Sequence, residues 1–158
     1  MRIQLSEELV ELIESGVSIL VGSRDADLRP ECARALGATV APDRRALTIY
    51  LSAGLGRRMC ADFDDNRQVA ITFSRILDHH TVQVKGVVRQ VRPATDADVA
   101  TQERYRIAFS EQAAIVGMPR SVMRRLVLVP SVAVEVEVRE LFHQTPGPGA
   151  GSRIEPTA

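Results

Sequence analysis

Residues 52–66 read SAGLGRRMCADFDDN, and their order is the most chemically suggestive in the chain. Gly54 and Gly56 leave backbone N–H groups approachable, Arg57 and Arg58 follow at once, and Asp62, Asp64 and Asp65 come later. Read as a short helix, the stretch sets its arginines at the partly positive end and its aspartates towards the partly negative end, which opposes the helix dipole. An anion beside the glycines reverses that penalty, because free N–H groups, the dipole and two guanidinium forks then face one negative group. The local alternative is an exposed i,i+4 pair between Arg58 and Asp62, worth about 0.2–0.5 kcal/mol. A third cation, Arg34, opens the run RALGATV. An unpaired buried guanidinium is too costly there, so Arg34 must lie at an edge, bind an anion or pair across a subunit interface.

Other chemistries find less support. Gly54-Leu55-Gly56 begins like a dinucleotide fingerprint, but Met59 stands where the third glycine belongs and no βαβ pattern surrounds it. His79 and His80 are adjacent and would point to opposite faces of a strand, so no metal site is expected from Asp78-His79-His80. The TPGPGAG stretch lacks the Gly-Lys-Ser/Thr ending of a phosphate loop and reads as a flexible lid or tail. Neither a Ser-His-Asp or Cys-His arrangement nor a paired-carboxylate motif suggests hydrolysis. Cys32 and Cys60 lack C-x-x-C spacing and read as reduced, small core residues.

The elements that must hold these groups follow from periodicity. SEELVELIES, begun by a capping serine, is an amphipathic lead-in helix ending at Gly16. GVSILVGS, ECARALGATVA, ALTIYLS, QVAITFS, TVQVKGVVRQV and VPSVAVEVEVREL are β-rich runs divided by turn residues such as RDADLRP and PDRR, which predicts six antiparallel strands. A longer helix over DADVATQERYRIAFSEQAAIVG, capped by Thr95 or Asp96, and a short one at SVMRRL complete the pattern. Tyr105, Ile107, Ala108 and Phe109 of the long helix read as core packing, or as a cap over a pocket. Glu135, Glu137 and Arg139 alternate with valines and predict a solvated face on the last strand. At 158 residues and 45% hydrophobic, residues 1–143 suit one domain followed by a Gly/Pro-rich tail, 144–158, whose last residues are expected to be mobile. The formal net charge of +0 argues against a nucleic-acid partner. Without a membrane-spanning run or an apolar leader, a soluble cytoplasmic protein is expected.

The succession of SILVGSRDADLRPECAR, a strand ending IYLS, a Gly-Arg-Arg helix closing at Asn66 with Val69 beyond it, and TVQVKG resembles the pyridoxamine 5′-phosphate oxidase-like family of FMN-binding split barrels. The resemblance covers about residues 15–92 and, more loosely, the final strand. It implies a mainly β fold, a six-stranded antiparallel split β-barrel of Greek-key type with peripheral α-helices. It also implies a homodimer with FMN at the subunit interface and the phosphate on Arg34 and Arg58, helped by Arg57. Tyr50, Leu51 and Ser52 match the stretch beside the flavin ring and ribityl chain. Thr81 matches a position often held by a flavin-contacting glutamine. Met59 replaces a frequent lysine, Thr39 replaces the lysine of the vitamin-processing enzymes, and their C-terminal Arg and His arrangement is missing. The resemblance is therefore to the broader flavoproteins, and it implies an FMN-dependent oxidoreductase acting on a small molecule. The alternatives within the fold are a non-catalytic flavin- or haem-binding protein and an F420-dependent reductase.

Overall fold

The computed structural model describes residues 3–155. Ser6 caps helix α1 (Glu7–Glu14), its hydroxyl accepting from the Leu9 N–H at 3.3 Å, and Leu12 and Ile13 turn into the core. Strands β1 (Ser18–Arg24) and β2 (Pro30–Arg34) form a hairpin, as do β3 (Ala38–Val40) and β4 (Ala46–Ser52). Helix α2 (Arg57–Asn66) intervenes before the hairpin of β5 (Gln68–Ser74) and β6 (Thr81–Pro93). Helices α3 (Asp96–Ile115) and α4 (Arg120–Met123) precede the last strand, β7 (Ser131–His143). Every pairing is antiparallel, and the strands lie in the order β2-β1-β5-β6-β7-β4-β3.

The expected count of six strands is corrected to seven, because ECARALGATVA is not one strand. It breaks at Ala35–Gly37, where Gly37 takes φ +138°, a conformation that L side chains rarely adopt. The two halves go to opposite edges of the sheet. At the break, the Ala35 N–H donates to the Ile19 carbonyl at 3.0 Å and the Leu36 N–H to the Tyr50 carbonyl at 2.7 Å. Consecutive residues thus join β1 and β4, the inner neighbours of the two edge strands, and the sheet curls on itself around the core. That core contains Ile19, Val21, Ile49, Leu51, Ile71, Phe73, Val84, Val134 and Val136, the alternate residues of their strands. Fully burying each such side chain contributes about 1.5–3 kcal/mol.

Two other expectations change. Glu137 is not on a solvated face: it is 6% exposed, paired with Arg89 and held 2.8 Å from Arg139. Cys32 is exposed on the outer face of β2 rather than in the core, and Cys60 is half-buried. Burial pushes the Cys60 thiol up, with Asp64 adding to the shift, which favours the thiol over the thiolate. Part of the tail is ordered: the Ile154 N–H donates to the Leu141 carbonyl at 2.8 Å, and Arg153 bridges to Phe142. The final expected mobile residues, 156–158, lie outside those described.

A bulge sets the phase of β7. Lys85 pairs with Glu140 but Gly86 with Val138, which leaves Arg139 as the extra residue. A Cβ at Gly86 would come within 2.4 Å of Val136 Cγ1 and 2.5 Å of the Glu137 carbonyl oxygen. Gly86→Ala should therefore cost about 1–3 kcal/mol, the usual range for forced overpacking. Chemical denaturation reads this directly, and a variant as stable as the parent would show that β7 yields around a methyl group.

Candidate cofactor-binding site

Helix α2 leaves its barrel strand through the turn Ala53–Gly56, and Gly56 takes the N-cap position without any side-chain capping bond. Its first turn holds no acid, and Arg57 and Arg58 are both exposed there. Met59 is wholly buried and packs with Phe63 in the core, so the position that often carries lysine anchors the helix here. The alternative Arg58–Asp62 pair does not form. Asp62 turns inward, 9% exposed, and accepts a 2.5 Å hydrogen bond from Ser23 on β1. Arg58 instead meets Glu31 of β2 at 3.6 Å while remaining 85% exposed. Such an exposed contact contributes about 0–1 kcal/mol and leaves the guanidinium available. The aspartates that opposed the dipole are thus divided: Asp62 bonds the helix to β1, and Asp64 and Asp65 are exposed to solvent.

The remaining expected site residues fall into separate places. Ser52, half-exposed, sits at the end of β4 directly before the α2 turn and is paired in the ladder with Ser131. Leu51 is fully buried in the core and Tyr50 is 3% exposed, packed with Leu36 and Ala133 beneath Leu126 and Leu128. Within one protomer, the Leu51 side chain is therefore not open to a ligand. Arg34 lies on the outer face of β2, exposed, its guanidinium 5.2 Å from the centre of the Phe109 ring. Glu31 and Ala33 point to the other face, with Ser23 and Val21. Arg34 and Arg58 consequently flank β2 from opposite sides. Thr81 is buried at the far end of β6, its hydroxyl 2.7 Å from both the Ser74 hydroxyl and the His79 carbonyl oxygen. The length of β7 separates it from Ser52, since Ser52 pairs with Ser131 while the Gln144 N–H donates to the Thr81 carbonyl.

Two features near the Ser52 end had no obvious sequence signal. Gln102 of α3 is wholly buried and donates its amide to the Ser131 hydroxyl at 3.0 Å. Asp98 accepts from Arg92 at 2.5 and 3.3 Å and from the Thr95 N–H and hydroxyl at 2.8 and 2.9 Å, closing the capping box of α3. S/T-x-x-D spacing could have revealed the box, but not the arginine across from it. The Arg92 hydrogen bond holds the Asp98 carboxyl well below the usual carboxylate range, with the Thr95 N–H helping. Burial raises the Tyr50 phenol, opposed by its hydrogen bond with Thr39 at 3.3 Å. Tyr105, which donates to the Val17 carbonyl at 2.8 Å, is pushed up to about 12 by burial, with Arg34 opposing the shift.

Comparison with known proteins places this architecture. No family model matches the sequence, and no curated protein matches it. Among solved structures, HupZ of Group A Streptococcus has a TM-score of 0.57 at 16% identity, covering 94% of this chain and 100% of that one. A candidate pyridoxamine 5′-phosphate oxidase from Lactobacillus delbrueckii has a TM-score of 0.55 at 17% identity, covering 88% and 93%. An F420 reductase has a TM-score of 0.57 at 14% identity, covering 87% and 98%. The fold is that of the pyridoxamine 5′-phosphate oxidase-like split barrels. At these identities the likeness concerns the split barrel and not the chemistry hosted on it. Among the described residues, no helix is long and apolar enough to cross a membrane.

The Asp98 cluster gives a pH test. A carboxyl whose folded value is depressed adds stability in full above the unfolded value, about 3.9, and loses it as pH falls through the folded value. Asp98→Asn should be less stable than the parent at pH 7, and its stability should fall less steeply between about pH 4 and 2. Thermal unfolding across that range decides it, and parallel acid limbs would assign the acid sensitivity to other carboxyls.

Proposed function

We propose that the protein binds FMN and serves as an oxidoreductase on a small molecule, with the phosphate at the start of α2. The observation that carries this reading is the uncapped α2 N-terminus, acid-free in its first turn and flanked by exposed Arg57 and Arg58 at the end of a barrel strand. Ser52 adds a half-exposed hydroxyl beside that terminus. A bound flavin carries the redox step itself, taking electrons or hydride on its ring, and the chain's part is to hold and orient it.

Arg34 gives the reading its quaternary consequence. Because it stands on the opposite side of β2 from Arg58, one protomer does not direct both cations at one phosphate. A homodimer with the cofactor between its two copies lets Arg34 of one copy approach the α2 terminus of the other. The same arrangement offers a role for Thr81, which lies far from α2 in its own protomer. A cytoplasmic setting agrees with two free cysteines and no disulfide between them.

The fold alone leaves FMN, F420 and haem as candidates, and the absorption spectrum of the purified protein separates them. Flavin bands, or FMN uptake by the apoprotein, are the expected result; a Soret band or F420 absorption would reassign the cofactor. Arg34→Ala and Arg58→Ala should each weaken FMN by about 1.5–3 kcal/mol, the worth of a charge-assisted hydrogen bond, and weaken riboflavin much less. Equal losses for the two ligands, measured by fluorescence titration, would remove both arginines from the phosphate.

A further inference from the structure

The outer face of the sheet carries a groove of about 420 Å³ that lies apart from the α2 N-terminus. Its floor is made by Gly22 of β1 and Ala70 of β5, which face each other in the ladder, and its far side by Gly86 of β6. Three cations line it, Arg24, Lys85 and Arg139, with the Glu140 carboxylate beside them and Glu137 paired to Arg139 at 2.8 Å. In a chain with as many acids as bases, that grouping is a local field rather than an average property of the surface.

The grouping depends on the bulge. In an unbroken ladder, residues 139 and 140 would face opposite sides of the sheet. The register shift between Lys85 and Gly86 releases Arg139 from that alternation, so that Arg139 and Glu140 both line the groove beside Lys85. Bulges commonly redirect a side chain next to a functional site. The cations are also held in place. The Lys85 ammonium lies 4.8 Å from the centre of the Phe142 ring, Arg139 is 2.8 Å from Glu137, and Arg24 donates to the Asp25 carbonyl oxygen at 3.2 Å. Anchoring of this kind lowers the entropy lost when a ligand is gripped.

We infer that this groove is a second binding site, taking a small phosphate-bearing molecule through Arg24, Lys85 and Arg139. Two guanidinium forks can each meet a pair of phosphate oxygens while the lysine supplies a point charge. Small floor residues leave room for the uncharged part of the ligand. The site uses none of the residues assigned to the flavin, so it stands or falls independently of that reading.

Inorganic pyrophosphate, titrated calorimetrically into the full chain, tests the inference. Binding should weaken as salt is raised. The Arg24→Gln, Lys85→Gln double variant should lose about ten-fold or more in affinity, corresponding to about 1.4 kcal/mol. Lys85→Arg should retain binding, which separates a charge requirement from damage to the fold. Pyrophosphate binding should persist in the Arg57→Ala, Arg58→Ala variant, which leaves the groove as the phosphate site, and the groove variant should bind FMN as the parent does. Absence of pyrophosphate binding, unchanged affinity in the groove variant, or loss of binding in the α2 variant would overturn the inference. Displacement of pyrophosphate by FMN would also overturn it, by making the groove the flavin's own phosphate seat.

Discussion

The corner at Ala35–Gly37 is the constraint on which the molecule turns. β2 and β3 remain the edge strands of the seven-stranded sheet, and without a curl that sheet would leave its core open on one side. Two adjacent amides, at Ala35 and Leu36, bond to β1 and β4 and bring the two ends of the sheet together. Gly37 supplies the backbone conformation that lets the chain turn between those bonds. The curl then defines an inside, filled by alternate strand residues, and an outside, where every candidate ligand contact must be found. It also fixes where β4 ends, and therefore where α2 begins.

The outside is not uniform, because its two halves are built differently. α3 and the segment after α4 cover the side holding Tyr50 and Ala133, where Leu36, Leu126 and Leu128 form a small second cluster. The side formed by β1, β5 and β6 turns Gly22, Ala70, Thr72 and Gln83 outward, with Leu20 exposed opposite Thr72. On the covered half, charge is consumed internally: Arg92 with Asp98, and Arg106 with Glu103. On the uncovered half Lys85 rests on the Phe142 ring, and Arg34 rests on the Phe109 ring of the covering helix α3. A cation over a ring is stabilised without its charge being cancelled, so its field still reaches solvent.

Much of this was legible in the sequence, for identifiable reasons. The cap of α1, the start of α3 at Thr95 and the hairpins of β1–β2 and β5–β6 depend on neighbours a few residues away, and local patterns report them. The break in ECARALGATVA was missed because each half keeps β-type residues, and only closure of the sheet requires the turn between them. Glu137 was misread because alternation tells which side of a strand a residue faces, but not that Arg89 and Arg139 will cover that side. Asp62 shows the same limit: helical spacing offers Arg58 as an alternative partner, while tertiary packing supplies Ser23. Sequence patterns name candidate residues one by one, whereas which of them stand together is a property of the curled sheet.

A net charge of zero excluded a uniformly basic surface, but it said nothing about how charge is distributed. Four glutamates occupy α1, and Asp64 and Asp65 occupy the far end of α2, whereas the first turn of α2 holds two arginines and no acid. Acids are thus kept on α1 and on the later part of α2, away from the arginines at its start, and over a Debye length of about 10 Å in moderate salt each group acts largely on its own surroundings. The helix dipole of α2 adds to the field of Arg57 and Arg58 instead of neutralising it. Such an arrangement stabilises the free protein less than the reverse order would. It is the arrangement expected where an anion, rather than the protein itself, completes the electrostatics of the helix start.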